Sequence, residues 1–208
     1  LLINSIEIVS EINLGQNNIR VINSHQQTTT LIQNENKPLD NMVIRFYLLK
    51  LNSNRIESLK DLHLFSHLLF KYLAELDLSA NLIRNLSDRN LLSLKSLTRL
   101  DLSGNKLEHI GKNEFSGLVD LSSLIINNNM IRHIDANAFT DLLELRRINI
   151  SNNFLDSFEL YISNLTLLFE FDFSGNMLKK INQNYFSGSF KLENLLIGHN
   201  QIETIEDK

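Results

Sequence analysis

Along most of the chain the apolar residues keep one frame. It runs apolar, two variable, apolar, variable, apolar, two variable, asparagine, variable, apolar, and a further apolar residue closes it three positions on. The frame reads Leu73-Leu76-Leu78-Asn81-Ile83-Leu86 and recurs from Leu97, Leu121, Leu145, Leu168 and Leu192; upstream it fits from Phe46 and from Val9. Eight copies result, with asparagines at Asn17, Asn54, Asn81, Asn105, Asn129, Asn153, Asn176 and Asn200, and from Asn81 onward the steps are 24, 24, 24, 23 and 24 residues. A phase held over that many positions predicts a repeat architecture.

The central apolar-variable-apolar triplet is a period-two strand with one buried face. So short a strand cannot bury its apolar face alone, so neighbouring copies must stack into a parallel sheet. Eight strands at about 4.8 Å give roughly 35–40 Å of sheet. The segments between strands are bulkier, so the sheet belongs on the concave side. Each frame asparagine is expected inside the turn, hydrogen-bonding backbone groups of adjacent copies that water cannot reach.

This frame resembles the leucine-rich-repeat family, and its spacing the 24-residue "typical" subclass. A second half-motif of that subclass stands at Phe115-Leu118-Leu121 and Phe139-Leu142-Leu145, with degenerate versions at Leu91-Leu94-Leu97 and Ile162-Leu165-Leu168; Phe186 followed by Ser189 breaks it. The resemblance covers everything except roughly residues 23–42. It implies an α/β repeat solenoid: a curved horseshoe with a parallel concave sheet of about eight short strands and irregular or short-helical convex segments. It is similar to the arrays of Toll-type receptor ectodomains and insect leucine-rich-repeat surface proteins. That likeness implies a secreted or cell-surface module of innate immunity, adhesion or development.

The chain reads as one array over residues 1–208. The steps from Asn17 to Asn54 and on to Asn81 are 37 and 27 residues. Loop-like composition between Asn23 and Asn41 predicts an inserted segment, with a degenerate ninth repeat as the alternative. Neither end shows a polar capping repeat, so the pattern predicts the interior of a longer protein.

A net charge of −4 offers no basic field to nucleic acid or to an anionic membrane. No run of 18 apolar residues exists to span a bilayer. The chain has no cysteine, which rules out disulfides and thiolate chemistry within it and leans toward a reducing compartment. An intracellular scaffold or regulatory subunit is therefore the alternative reading. A structural component of a large assembly is a third.

Three columns face outward from the strands. The first holds Glu11, Leu48, Glu75, Arg99, Ser123, Arg147, Glu170 and Asn194; the second Asn13, Lys50, Asp77, Asp101, Ile125, Asn149, Asp172 and Leu196. The third is mostly serine, asparagine and glycine. In this family ligands most often use the concave face, so the candidate contacts are Leu48, Arg99, Asp101, Ser123, Ile125, Arg147, Asn149, Glu170, Asp172 and Leu196. Ile125 and Leu196 stand where the family pattern has aspartate, and apolar anchors among polar residues are what a contact site uses. Opposed charges on neighbouring strands, Glu75 with Arg99 and Arg147 with Glu170, are expected to pair.

Catalytic signals are absent from the sequence. His109 and His133 share a column but lack a third ligand, and His63 and His67 have Leu64 where a zinc-protease helix needs glutamate. No nucleophile–base pairing or phosphate loop is recognisable. The expectation is a non-enzyme without metal or cofactor, binding a protein ligand or co-receptor, with homo- or hetero-oligomers compatible. Sequons occur at Asn85, Asn149 and Asn164. Among 28 asparagines and 27 serines and threonines, chance alone supplies that many, so they do not by themselves argue for secretion.

Overall fold

The triplets of the frame form strands because each apolar side chain finds the equivalent residue of the next copy directly beneath it. In the computed structural model, which describes residues 6–13, 15–17, 43–59, 70–86, 91–157, 160, 162–186 and 188–206, twelve strands follow one another. They are β1 (Ile6–Asn13), β2 (Val43–Lys50), β3 (Glu75–Asp77), β4 (Arg99–Asp101), β5 (His109–Ile110), β6 (Ser123–Ile125), β7 (His133–Ile134), β8 (Arg147–Asn149), β9 (Glu170–Asp172), β10 (Lys180–Asn182), β11 (Asn194–Leu196) and β12 (Thr204–Glu206). Eight of them build one parallel sheet in the order β1-β2-β3-β4-β6-β8-β9-β11. Every turn of the solenoid thus contributes one rung, in chain order. The inserted segment expected near residues 23–42 and the pair His63 and His67 lie outside the described residues.

Register is set by the frame. Leu49, Leu76, Leu100, Leu124, Ile148, Phe171 and Leu195 align across the sheet. All but Leu195 are buried. Rungs β3 onward are three residues long, whereas β1 and β2 run to eight. Their sequences, IEIVSEIN and VIRFYLLK, add β-branched and aromatic residues ahead of the triplet, which prolongs the extended backbone.

The second half-motif fills the other side of the core. Phe115 and Phe139 are 1% exposed and stack at 6.0 Å between ring centroids. Two shorter parallel pairs, β5 with β7 and β10 with β12, run beyond the asparagine turns. Among the described residues the convex segments are mostly turns, with a 3-10 helix at Gln183–Phe186.

Each turn is locked by its asparagine. Asn129 Nδ2 donates to the carbonyls of Ile126 (3.0 Å) and Asn127 (3.2 Å) in its own turn and of Leu102 (3.0 Å) in the preceding one. Its Oδ1 accepts the N–H of Leu107 at 3.0 Å. The same four-bond pattern recurs at Asn81, Asn105, Asn153, Asn176 and Asn200. Asn54 is buried and bonds Leu51 and Asn52. Asn17 departs from the expectation: it is exposed, and its amide reaches the Gly15 carbonyl in its own turn at 3.1 Å.

The residue before each asparagine takes a left-handed backbone: Gln16, Ser53, Ala80, Gly104, Asn128, Asn152, Gly175 and His199 all have φ between 52° and 65°. That corner turns the chain out of the sheet, and from Asn54 onward it leads to the flank. Only Gly104 and Gly175 adopt it without steric cost.

Candidate recognition face

The strand residues between the buried ones emerge on one face as parallel columns, as the pairing Glu75↔Arg99↔Ser123↔Arg147↔Glu170↔Asn194 requires. The second column is Lys50, Asp77, Asp101, Ile125, Asn149, Asp172 and Leu196. The sheet therefore brings all ten candidate contacts onto one face.

The three acids of the second column, Asp77, Asp101 and Asp172, serve the turn below them. Asp101 Oδ1 accepts both the backbone N–H (3.0 Å) and the hydroxyl (2.7 Å) of Ser103. Asp77 with Ser79, Asn149 with Ser151 and Asp172 with Ser174 repeat this two-bond motif. It satisfies the N–H of a residue approaching the left-handed corner. Ile125 and Leu196 cannot do so, and their turns carry Asn127 and Gly198 in place of serine. Lys50 lacks the bond too, but Ile125 and Leu196 alone put an apolar side chain at these positions.

The exposure of these residues is uneven. Leu196 is 46% exposed, while Ile125 and Leu48 are half-buried among neighbouring columns rather than standing free. Close rung spacing lets the side chains above and below shield them. Ion pairing also differs from expectation in one case. Arg147 Nε meets Glu170 Oε2 across strands at 3.8 Å, but Arg99 Nη2 turns along its own strand to Asp101 Oδ2 at 3.2 Å, not to Glu75. Asp101 is two residues away and shares the face, so the guanidinium reaches it with less extension.

A hollow of about 190 Å³ opens where Leu48, Lys50, Glu75, Leu76, Asp77, Arg99 and Asp101 meet. It adjoins a wider one of about 400 Å³ lined by Asn13, Gly15, Gln16, Lys50, Asn52 and Asp77. Lys50, Glu75 and Asp77 thus join the face, although the sequence offered them only as members of the columns. Of the sequons, Asn85 and Asn164 are exposed and Asn149 is half-buried with Oδ1 engaged by Ser151.

His109 and His133 pair in register on β5 and β7, both exposed. Among the described residues, no group of three or more histidines, cysteines or acids is placed to hold a metal ion. Among the same residues no helix is long and apolar enough to cross a membrane.

The sequence missed one feature. From Asn54 onward the residue following the frame asparagine lies on the flank, and in three consecutive turns it is an exposed apolar residue: Met130, Phe154 and Met177. Aligning the copies one position past the asparagine would have found it.

Residues 71–131 match the sequence profile of the family described as leucine rich repeat. No curated protein matches the chain. Among solved structures, internalin C2 from Listeria monocytogenes is similar, with a TM-score of 0.66 at 22% identity, covering 95% of this chain and 74% of that one. An identity that low carries the fold alone. The chain folds as a leucine-rich-repeat solenoid, and its residues 71–131 carry that family's sequence signature.

Proposed function

We propose that this solenoid is a non-catalytic recognition module that binds a protein partner across its sheet face, as part of a secreted or cell-surface protein. The observation that carries the reading is that Ile125 and Leu196, both apolar, stand in a column otherwise made of Lys50, Asp77, Asp101, Asn149 and Asp172. Around these anchors stand Arg99, Arg147 and Glu170, with Ser123 and Asp172 between them. That arrangement of apolar centres within a charged surround suits a protein interface, where a few buried anchors carry affinity and the rim sets specificity. The hollow at Leu48 and Lys50 extends the face toward β1 and gives a partner side chain somewhere to enter. Asp101 and Arg99 line it and already pair with each other, so they need not be left bare when covered.

The test is site-directed photocrosslinking in an extract of the protein's source. A crosslinker replaces Ile125 in one protein and the exposed Lys112, on the turn side, in another. Capture of the same partner from position 125 and not from 112 supports the reading, and Ile125→Glu in the crosslinker-free protein should then weaken that partner at least about tenfold. Capture only from position 112, or an unchanged affinity of Ile125→Glu, overturns it.

A further inference from the structure

The flank beyond the asparagine corners is a second outward face, whose exposed residues fall at positions the frame leaves variable. From Asn54 to Asn176 the second residue after the asparagine is buried, while the first and third are half-buried or exposed. Backbone bonds stack them rung on rung: Met130 N–H to Leu107, Phe154 N–H to Ile131, Met177 N–H to Leu155, and Arg132 N–H to Glu108. The first position carries Lys106, Met130, Phe154 and Met177 in succession, the last three 43%, 42% and 38% exposed. Three adjacent apolar rungs form a continuous strip, and methionine and phenylalanine side chains suit an adaptable contact.

The third position is charged in seven consecutive turns and its sign alternates throughout: Glu57, Arg84, Glu108, Arg132, Asp156, Lys179, Glu203, all exposed. The two columns adjoin, since the Arg132 guanidinium lies 5.0 Å from the centroid of the Phe154 ring. Arg84 and Glu108 approach only to 3.9 Å and stay 60% and 59% exposed, so the ladder faces solvent rather than closing on itself.

An alternating ladder has a particular symmetry. Turn a second copy antiparallel about a two-fold axis between the Arg132 and Asp156 rungs. Arg132 then faces Asp156 of the other copy, Glu108 faces Lys179 and Arg84 faces Glu203, each pair occurring twice. In the same register Met130 lies opposite Phe154, and Met177 opposite the aliphatic stem of Lys106. Moving the axis by half a rung brings like charges together at every position. The rung spacing of the two surfaces is also identical, because they are the same surface. From this we infer that a second copy of this chain is the occupant of the flank, in an isologous antiparallel dimer whose apolar centre is Met130, Phe154 and Met177 and whose register is set by the charge ladder together with the Met130–Phe154 pairing, which a shift by a whole rung would lose. Asn85 follows Arg84 at the end of the strip, so a glycan there borders the contact without covering its centre. The sheet face is left free, and the inference is independent of what binds there.

The experiment is sedimentation equilibrium of the whole chain over a range up to hundreds of micromolar, with circular dichroism to verify folding; every residue changed is exposed. The wild type is expected to dimerise. Phe154→Glu, Arg132→Glu and Asp156→Arg are each expected to raise the dimer dissociation constant at least tenfold, the first by burying a charge against Met130 and each of the two reversals by placing two like-charged pairs in the dimer. Mixing the Arg132→Glu and Asp156→Arg proteins restores complementarity at both central pairs, so a heterodimer of near wild-type affinity should form. A monomeric wild type overturns the inference. So does a dimer indifferent to Phe154→Glu, which would place association elsewhere, at the exposed Phe190 and Ile205 for instance. A mixture no tighter than its components overturns the register and with it the two-fold arrangement.

Discussion

Asn129 holds the backbone of two turns at once: three donated bonds and one accepted join the strand end of its own turn to the corner of the one before. Asn129→Leu keeps the volume and loses all four. The Leu107 N–H and the Leu102 and Ile126 carbonyls stay buried, so the cost should be about 3 kcal/mol or more, read from urea unfolding. An unchanged midpoint would remove the asparagine from the account of the turn. This role was legible because the spacing is rigid and the residue type invariant among the copies. The fate of Arg99 was not, because choosing between Glu75 and Asp101 depends on side-chain reach within one face. Glu114 was invisible for the same reason. It fills a position taken by the buried Ala138 in the next turn, its Oε2 is buried without a hydrogen-bond partner, and burial raises its pKa above 4.5 although the Gly111 N–H and the charge of His109 work the other way. A carboxyl raised in the fold binds its proton more tightly folded than unfolded. Its contribution is favourable below pH 4.5 and is lost as pH rises through the raised value. Glu114→Gln should therefore raise the melting temperature at pH 7, with the gain disappearing toward pH 4; a constant gain across that range would mean the carboxyl's charge is not the cause.

At the level of elements, each rung is stabilised by its two neighbours, so stability should follow position along the array. Phe139 is 1% exposed, stacks on Phe115 and spans the gap between consecutive half-motifs. Phe139→Ala should cost about 3–5 kcal/mol by opening a cavity that packed neighbours cannot close. At the far end the same frame positions are open: Leu195 is 37% exposed and Ile205 72%. Native-state hydrogen exchange should accordingly show the amides of β11 and β12 exchanging before those of β4, β6 and β8. Uniform protection from β4 to β12 would mean the array unfolds only as a unit. Strand order, rung number and core face were all legible, since a parallel stack leaves one topology for a fixed repeat. The eight-residue length of β1 and β2 was not, because extension beyond the triplet comes from residues outside the frame. Nor was the flank ladder, whose meaning depends on knowing where the left-handed corner turns the chain.

For the whole molecule, the compartment decides between a surface recognition module and an intracellular scaffold, and the three sequons test both the compartment and the face. Asn85 and Asn164 are exposed away from the sheet columns, whereas Asn149 stands in the second column, paired with Ile125 on one side and Asp172 on the other. A glycan there would stand over the apolar anchor on which the proposed contact depends. Peptide masses of protein purified from its source, before and after enzymatic removal of N-glycans, should show Asn85 and Asn164 occupied and Asn149 bare. An occupied Asn149 would keep the secretory assignment but close the centre of the sheet face, moving the partner to the hollow at Leu48 and Lys50 or off the face altogether. Three bare sites would favour the intracellular reading. The flank dimer would then become the surface of first interest, since its ladder works in either compartment.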